Sequence, residues 1–108
     1  MALQFAILAA AKELGIRKEL EGQWSQRESD LAEQTQNKVR RAASKAWRYV
    51  GEMNEIAATF KGAGVPEDFH GAAAEIYRRL AHFKGTVETP SLEEVLEALI
   101  RAKEGDPA

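Results

Sequence analysis

The sequence predicts an all-α fold, a helical bundle of about five to six helices. Three observations predict it. Apolar residues recur at helical spacing along most of the chain, no run alternates polar and apolar residues at the period of a strand, and Gly, Pro, Ser and Asp fall where helices start or stop. With 108 residues, 44% hydrophobic and 30% charged, the composition is that of one globular domain spanning 1–108, long enough to bury a core.

From Ala2 to Leu14 nearly every residue is apolar or Ala, and Gly15 stands where a left-handed helix cap is expected. This first helix is apolar on almost every side. It is therefore expected to be buried and covered all round, by more helices than so short a chain supplies, which implies a second chain or a further domain. A signal-peptide reading fails because no basic residue precedes the apolar run and Gln4 interrupts it, and Lys12 and Glu13 end it too early for a membrane span.

A second helix is expected from Ile16 to Ser25. A third starts near Asp30, whose carboxylate is placed to cap Leu31-Ala-Glu33. Both are mostly polar, and Gln34 to Arg41 is read as surface held to the core by Trp24, Leu31 and Val39. A stronger helix begins at Ser44 or a neighbour, carries Trp47, Val50, Met53, Ile56 and Phe60 at helical spacing, and is stopped by Gly62 and Gly64.

Gly64-Val-Pro66 reads as a short turn into an antiparallel helix, on which Phe69, Ala73, Ile76, Leu80 and Phe83 make one stripe. Gly85 to Glu88 is a loop. Ser91 and Glu94 then stand at capping-box spacing before a last helix with Leu92, Val95, Leu96, Leu99 and Ile100 on its apolar face, ended by Gly105-Asp-Pro107. Within the one domain, 85–108 is this loop and helix.

Fifteen basic and 17 acidic residues are mixed along the sequence, giving a net charge of −2 and no sustained positive field for nucleic acid. A helix-turn-helix protein is disfavoured because no helix has a basic recognition face. There are no cysteines, hence no disulfide framework or thiolate metal site, and a cytoplasmic location is the expectation.

Candidate chemistry is sparse. Gly62-Ala-Gly64 follows a helix, not a strand, and terminates it; it is not a dinucleotide loop. His70 and His82, on one expected helix, point about 120° apart at 100° per residue and so do not share a metal. His70 is read as a surface or cap residue near Asp68. Glu52 and Glu55 share a face without a histidine at metal-site spacing, and Arg48 is the expected partner of Glu52. Arg78 and Arg79 beside Glu75 read as a solvated face. No catalytic, cofactor-binding or metal residue is assigned. Lys45 and Arg48 flank Trp47 at a helix start, where cations beside an aromatic ring suit an anionic substrate or phosphate, and these two are the candidate substrate-binding residues, with Trp47 itself read as core.

Three segments carry a family likeness: Lys45-Ala-Trp-Arg-Tyr-Val-Gly-Glu-Met-Asn-Glu-Ile-Ala-Ala-Thr-Phe60, Ala63-Gly-Val-Pro66 and Phe69-His-Gly-Ala-Ala-Ala-Glu-Ile-Tyr-Arg-Arg-Leu80. Together they resemble the C-terminal helical domain of the phosphogluconate-dehydrogenase-like, or β-hydroxyacid-dehydrogenase-like, NAD(P)-dependent oxidoreductases. The likeness covers most of 1–84.

It implies a domain that closes a substrate cleft and dimerises, while an N-terminal Rossmann domain binds NAD or NADP. It also implies a catalytic lysine a few residues before Met1; Lys12 is too far along the helix to replace it. Where many relatives carry a lysine near the cofactor this sequence has Gly51-Glu52-Met53, so no cofactor contact carries over. By this likeness the chain is an excised domain, a truncated product or a split subunit, inactive alone, and acts on a small hydroxyacid only in the complete enzyme. The alternative is a stand-alone helical homodimerisation module, with the Ala2–Ala11 helix as its seam.

Overall fold

The computed structural model describes residues 1–100, which form six α-helices and no strand. They are α1 (Ala2–Leu14), α2 (Arg17–Arg27), α3 (Leu31–Ala43), α4 (Tyr49–Gly62), α5 (Asp68–Arg79) and α6 (Leu92–Ile100), with single 3-10 turns at Ala46–Arg48 and Ala81–Phe83. The all-α bundle expected from the sequence is the fold observed. The expected stop at Gly105-Asp-Pro107 lies outside the described residues.

Two helix ends show how local chemistry shapes the chain. Gly15 has φ +75°, its N–H bonds the Lys12 carbonyl, and the next N–H, of Ile16, bonds the Ala11 carbonyl. That is a Schellman cap, and a side chain at Gly15 would be strained by the left-handed backbone. Gly64 repeats it with φ +79°, Gly64 N–H on Lys61 and Val65 N–H on Phe60. Gly62, expected to help stop α4, instead lies within it, and Gly64 alone supplies the cap.

The core lies where α1, α3, α5 and α6 meet, with Phe5, Leu8, Val39, Leu80, Val95 and Leu96 fully buried. α4 and α5 are antiparallel, since Tyr49 at the start of α4 meets Tyr77 near the end of α5, and Phe60 near the end of α4 meets His70 at the start of α5. The capping box on α6 forms as expected: Ser91 N–H donates to Glu94 Oε1 at 2.9 Å and Glu94 N–H donates to Ser91 Oγ at 3.1 Å. At α3 the expected cap does not form. Asp30 precedes the helix, but its carboxylate accepts from the Gln34 side chain at 2.8 Å.

Two expectations are corrected by the backbone. The stripe from Phe69 to Phe83 is not one helix: α5 ends at Arg79 and a 3-10 turn follows, its tighter winding turning Phe83 into the core while His82 stays exposed. The chain between α3 and α4 is likewise a 3-10 turn with i to i+3 bonds, Lys45 N–H to Ala42 and Arg48 N–H to Lys45. It buries Ala46 and leaves Trp47 37% exposed, so Trp47 is not core.

α1 is covered on one side only. Phe5, Leu8, Ala9 and Ala11 are buried, but Leu3 is 61% and Leu14 71% exposed, with Ile7 at the margin. α5, α6 and parts of α2 and α3 cover one side of α1, and among the described residues no helix covers the opposite side.

Candidate functional site

The candidate cations Lys45 and Arg48 lie at the corner where the two 3-10 turns meet. Lys45 opens the first turn, Arg48 closes it, and both are exposed. The second turn delivers Lys84, whose Nζ stands 4.1 Å from the centroid of the Trp47 ring, while Arg48 Cζ is 6.0 Å from it. A cation held over an indole face at such a distance contributes about 0.5–1 kcal/mol at an exposed site. Lys84 escaped the sequence reading because nothing in local spacing ties it to Trp47; only the contact between the two turns does. The one usable signal was an aromatic residue between two cations.

A separate feature is an apolar hollow of about 150 Å³ between α1 and α5, lined by Leu3 and Ala6 on one side and by Phe69, Ala72 and Ile76 on the other. Phe69 is 67% exposed at its rim. Small-molecule sites usually enclose about 300–1,000 Å³ and carry a few polar groups to orient the ligand. This hollow is smaller and its lining side chains are all apolar, so it suits an inserted side chain rather than a hydroxyacid.

The other candidates are structural. His70 is not a surface or cap residue: it is partly buried, with its ring 4.6 Å from Phe60 and 5.0 Å from Phe69, both edge-on, and its Nδ1 has no partner. His82 lies on the following 3-10 turn, a different element from the one that holds His70. Glu52 and Glu55 are exposed, and among the described residues Arg48 makes no ion pair with Glu52. No group of three or more His, Asp or Glu able to hold a metal ion occurs among the described residues.

Glu75 and its arginines are more than a solvated face. Glu75 accepts from Arg78 and from Arg79 Nε, each at 2.8 Å, and these bonds hold its carboxyl down to about 2. Arg79 also donates to the Leu99 carbonyl at 2.6 Å, tying the end of α5 to α6. Lys12 is engaged in the same structural way, 2.8 Å from Glu93 and 3.4 Å from Glu97, which raises it above the ordinary lysine value through hydrogen bonding to Glu93 first. It joins α1 to α6. Burial raises the Tyr77 hydroxyl, opposed by a hydrogen bond with the Ala2 backbone.

Among the described residues no helix is long and apolar enough to cross a membrane. Compared with known proteins, residues 11–80 match a family model described as a domain of unknown function, DUF1932. No curated protein and no solved structure matches.

Proposed function

The chain belongs to the DUF1932 family, whose model covers more than half of it, and on that premise we propose that it is the C-terminal substrate-cleft and dimerisation domain of an NAD(P)-dependent hydroxyacid-dehydrogenase-like oxidoreductase. DUF1932 is a C-terminal helical domain of NAD(P)-dependent dehydrogenase-like proteins. On this reading NAD or NADP is bound by a Rossmann domain outside these helices. Lys45 and Arg48 are the residues we assign to the anionic side of the cleft.

The observation that carries the reading is the uncovered face of α1. Leu3, Ile7, Ala10 and Leu14 are exposed at alternating spacings of four and three, the spacing of a helix–helix seam, and the hollow beside Phe69 continues it. Apolar surface of this kind is covered in working proteins by a partner. A second copy of the chain and a Rossmann domain both fit it, which is what a cleft-closing, dimer-forming domain requires.

The test is calorimetric titration of the chain with NADH and NADPH, alone and mixed with a Rossmann domain encoded in the same genome. Hydride transfer in the mixture, with none from the chain alone, supports the proposal. Hydride transfer by the chain alone overturns it. Dimerisation with silence in every mixture favours the second reading, a stand-alone homodimerisation module using the same α1 seam.

A further inference from the structure

The basic side chains that form ion pairs among the described residues are Lys12, Arg17, Lys61, Arg78 and Arg79. Lys45, Arg48 and Lys84 are not among them, and no side-chain hydrogen bond engages them either. On a chain with net charge −2, Arg48 and Lys84 stand beside the partly exposed Trp47 indole, Lys45 is exposed at the start of the same turn, and among the described residues no carboxylate pairs with any of the three. Glu52, one turn beyond Arg48, is near enough to act on Tyr77 but leaves Arg48 unpaired.

We propose that Arg48 and Lys84, beside the Trp47 ring, with Lys45 at the start of the same turn, bind the phosphoryl group of a small phosphorylated ligand. A single carboxylate offers one charge and two oxygens. A phosphoryl group offers up to two charges and three oxygens, enough to engage the Arg48 fork and a lysine ammonium together. Lys84 held over the indole is already placed for this, and the partly exposed Trp47 ring gives the ligand body an apolar surface. Two sources carry this chemistry: a free phosphate ester, or the pyrophosphate of a dinucleotide presented by a cofactor domain. The inference rests on the cleft reading of Lys45 and Arg48, adds Lys84 and Trp47 to it, and names the group bound.

The experiment is a proton–nitrogen NMR titration of the 108-residue chain with pyrophosphate, then with glycerol 3-phosphate and with ADP-ribose. Saturable shifts are expected at the Trp47 indole and the Lys84 amide. Lys84→Gln and Arg48→Gln each weaken pyrophosphate binding about tenfold or more, the effect of losing one hydrogen bond to a charged group. Lys18→Gln, an exposed cation on α2, leaves it unchanged. Tighter binding of ADP-ribose points to the dinucleotide and of glycerol 3-phosphate to a free ester, and either order supports the site. Absence of saturation by about 10 mM, an affinity under about 3 kcal/mol, overturns it. So does equal binding in the Lys84→Gln and Arg48→Gln variants. Pyrophosphate binding without hydride transfer in the Rossmann mixture would leave this site standing while the dehydrogenase reading falls; hydride transfer without pyrophosphate binding would do the reverse.

Discussion

Leu8→Ala and Leu3→Ala, made on the same helix, separate the two faces of α1. Leu8 is 0% exposed and sits in the core with Phe5, whereas Leu3 is 61% exposed. Truncating a fully buried leucine costs about 2.7–5.0 kcal/mol, transfer and cavity together. A leucine already mostly in water has far less to lose, about 1 kcal/mol or less when full burial is worth about 1.5–3. A chain of this size has about 5–15 kcal/mol of stability, so Leu8→Ala removes a large share of it. With a urea slope near 1.5 kcal/mol/M, a loss of about 3 kcal/mol moves the midpoint by about 2 M.

The assay is urea unfolding followed by circular dichroism, run at low and at high protein concentration. At low concentration the two variants should differ by at least about 2 kcal/mol in the order Leu8 over Leu3. Equal losses there would refute the division of α1 into a core face and an open face. If a second copy covers the seam, the loss for Leu3→Ala grows with concentration while that for Leu8→Ala does not, because only the former weakens a mass-action term.

Ser91→Ala removes the hydroxyl that accepts from Glu94 N–H, and should lower stability by about 0.5–2 kcal/mol in thermal or urea unfolding. Gly64→Ala puts a side chain on a backbone with φ +79°, and should cost about 1–2 kcal/mol in the same measurement; a neutral result would mean the cap relaxes out of the left-handed region. Glu75 titrates at about 2 in the fold against an ordinary 4.5, so its pairing stabilises fully above about pH 4.5 and is lost as pH falls towards 2. Glu75→Gln should therefore be less stable than the parent by about 0.2–1 kcal/mol near neutrality, the range for partly exposed pairs, and indistinguishable from it near pH 2. A constant gap across that window would show that packing, not charge, is lost.

What the sequence made legible was set by local rules. Gly15 and Gly64 at helix ends and the Ser91–Glu94 pair specify their structures within one turn of chain, and all three form as read. Errors arose where tertiary packing overrode periodicity. Phe69 and Trp47 fit helical stripes by spacing, yet Phe69 is two-thirds exposed and Trp47 was rotated outward by a 3-10 turn. Asp30 had a cap's position, but the Gln34 amide offered its carboxylate a closer partner. Of the basic corner, Lys45 and Arg48 were visible because they flank an aromatic residue in sequence, whereas Lys84 reaches the same ring only through the fold.

The two unpartnered features differ in chemistry and in position, and this difference orders the experiments. The α1 seam and its hollow are apolar and suit a protein surface; the corner made by the two 3-10 turns is cationic and suits an anion. Each is legible as a site for the same reason, that the fold leaves unused what it normally pairs: apolar area on α1, positive charge around Trp47. On the proposed reading a cleft-closing domain needs both, one to hold its partner and one to meet what lies between them. Leu3→Ala should then disturb association without changing pyrophosphate binding, and Lys84→Gln should do the opposite. A variant that moves both readouts together would mean that seam and corner belong to one coupled surface, and the assignment of separate roles would fall.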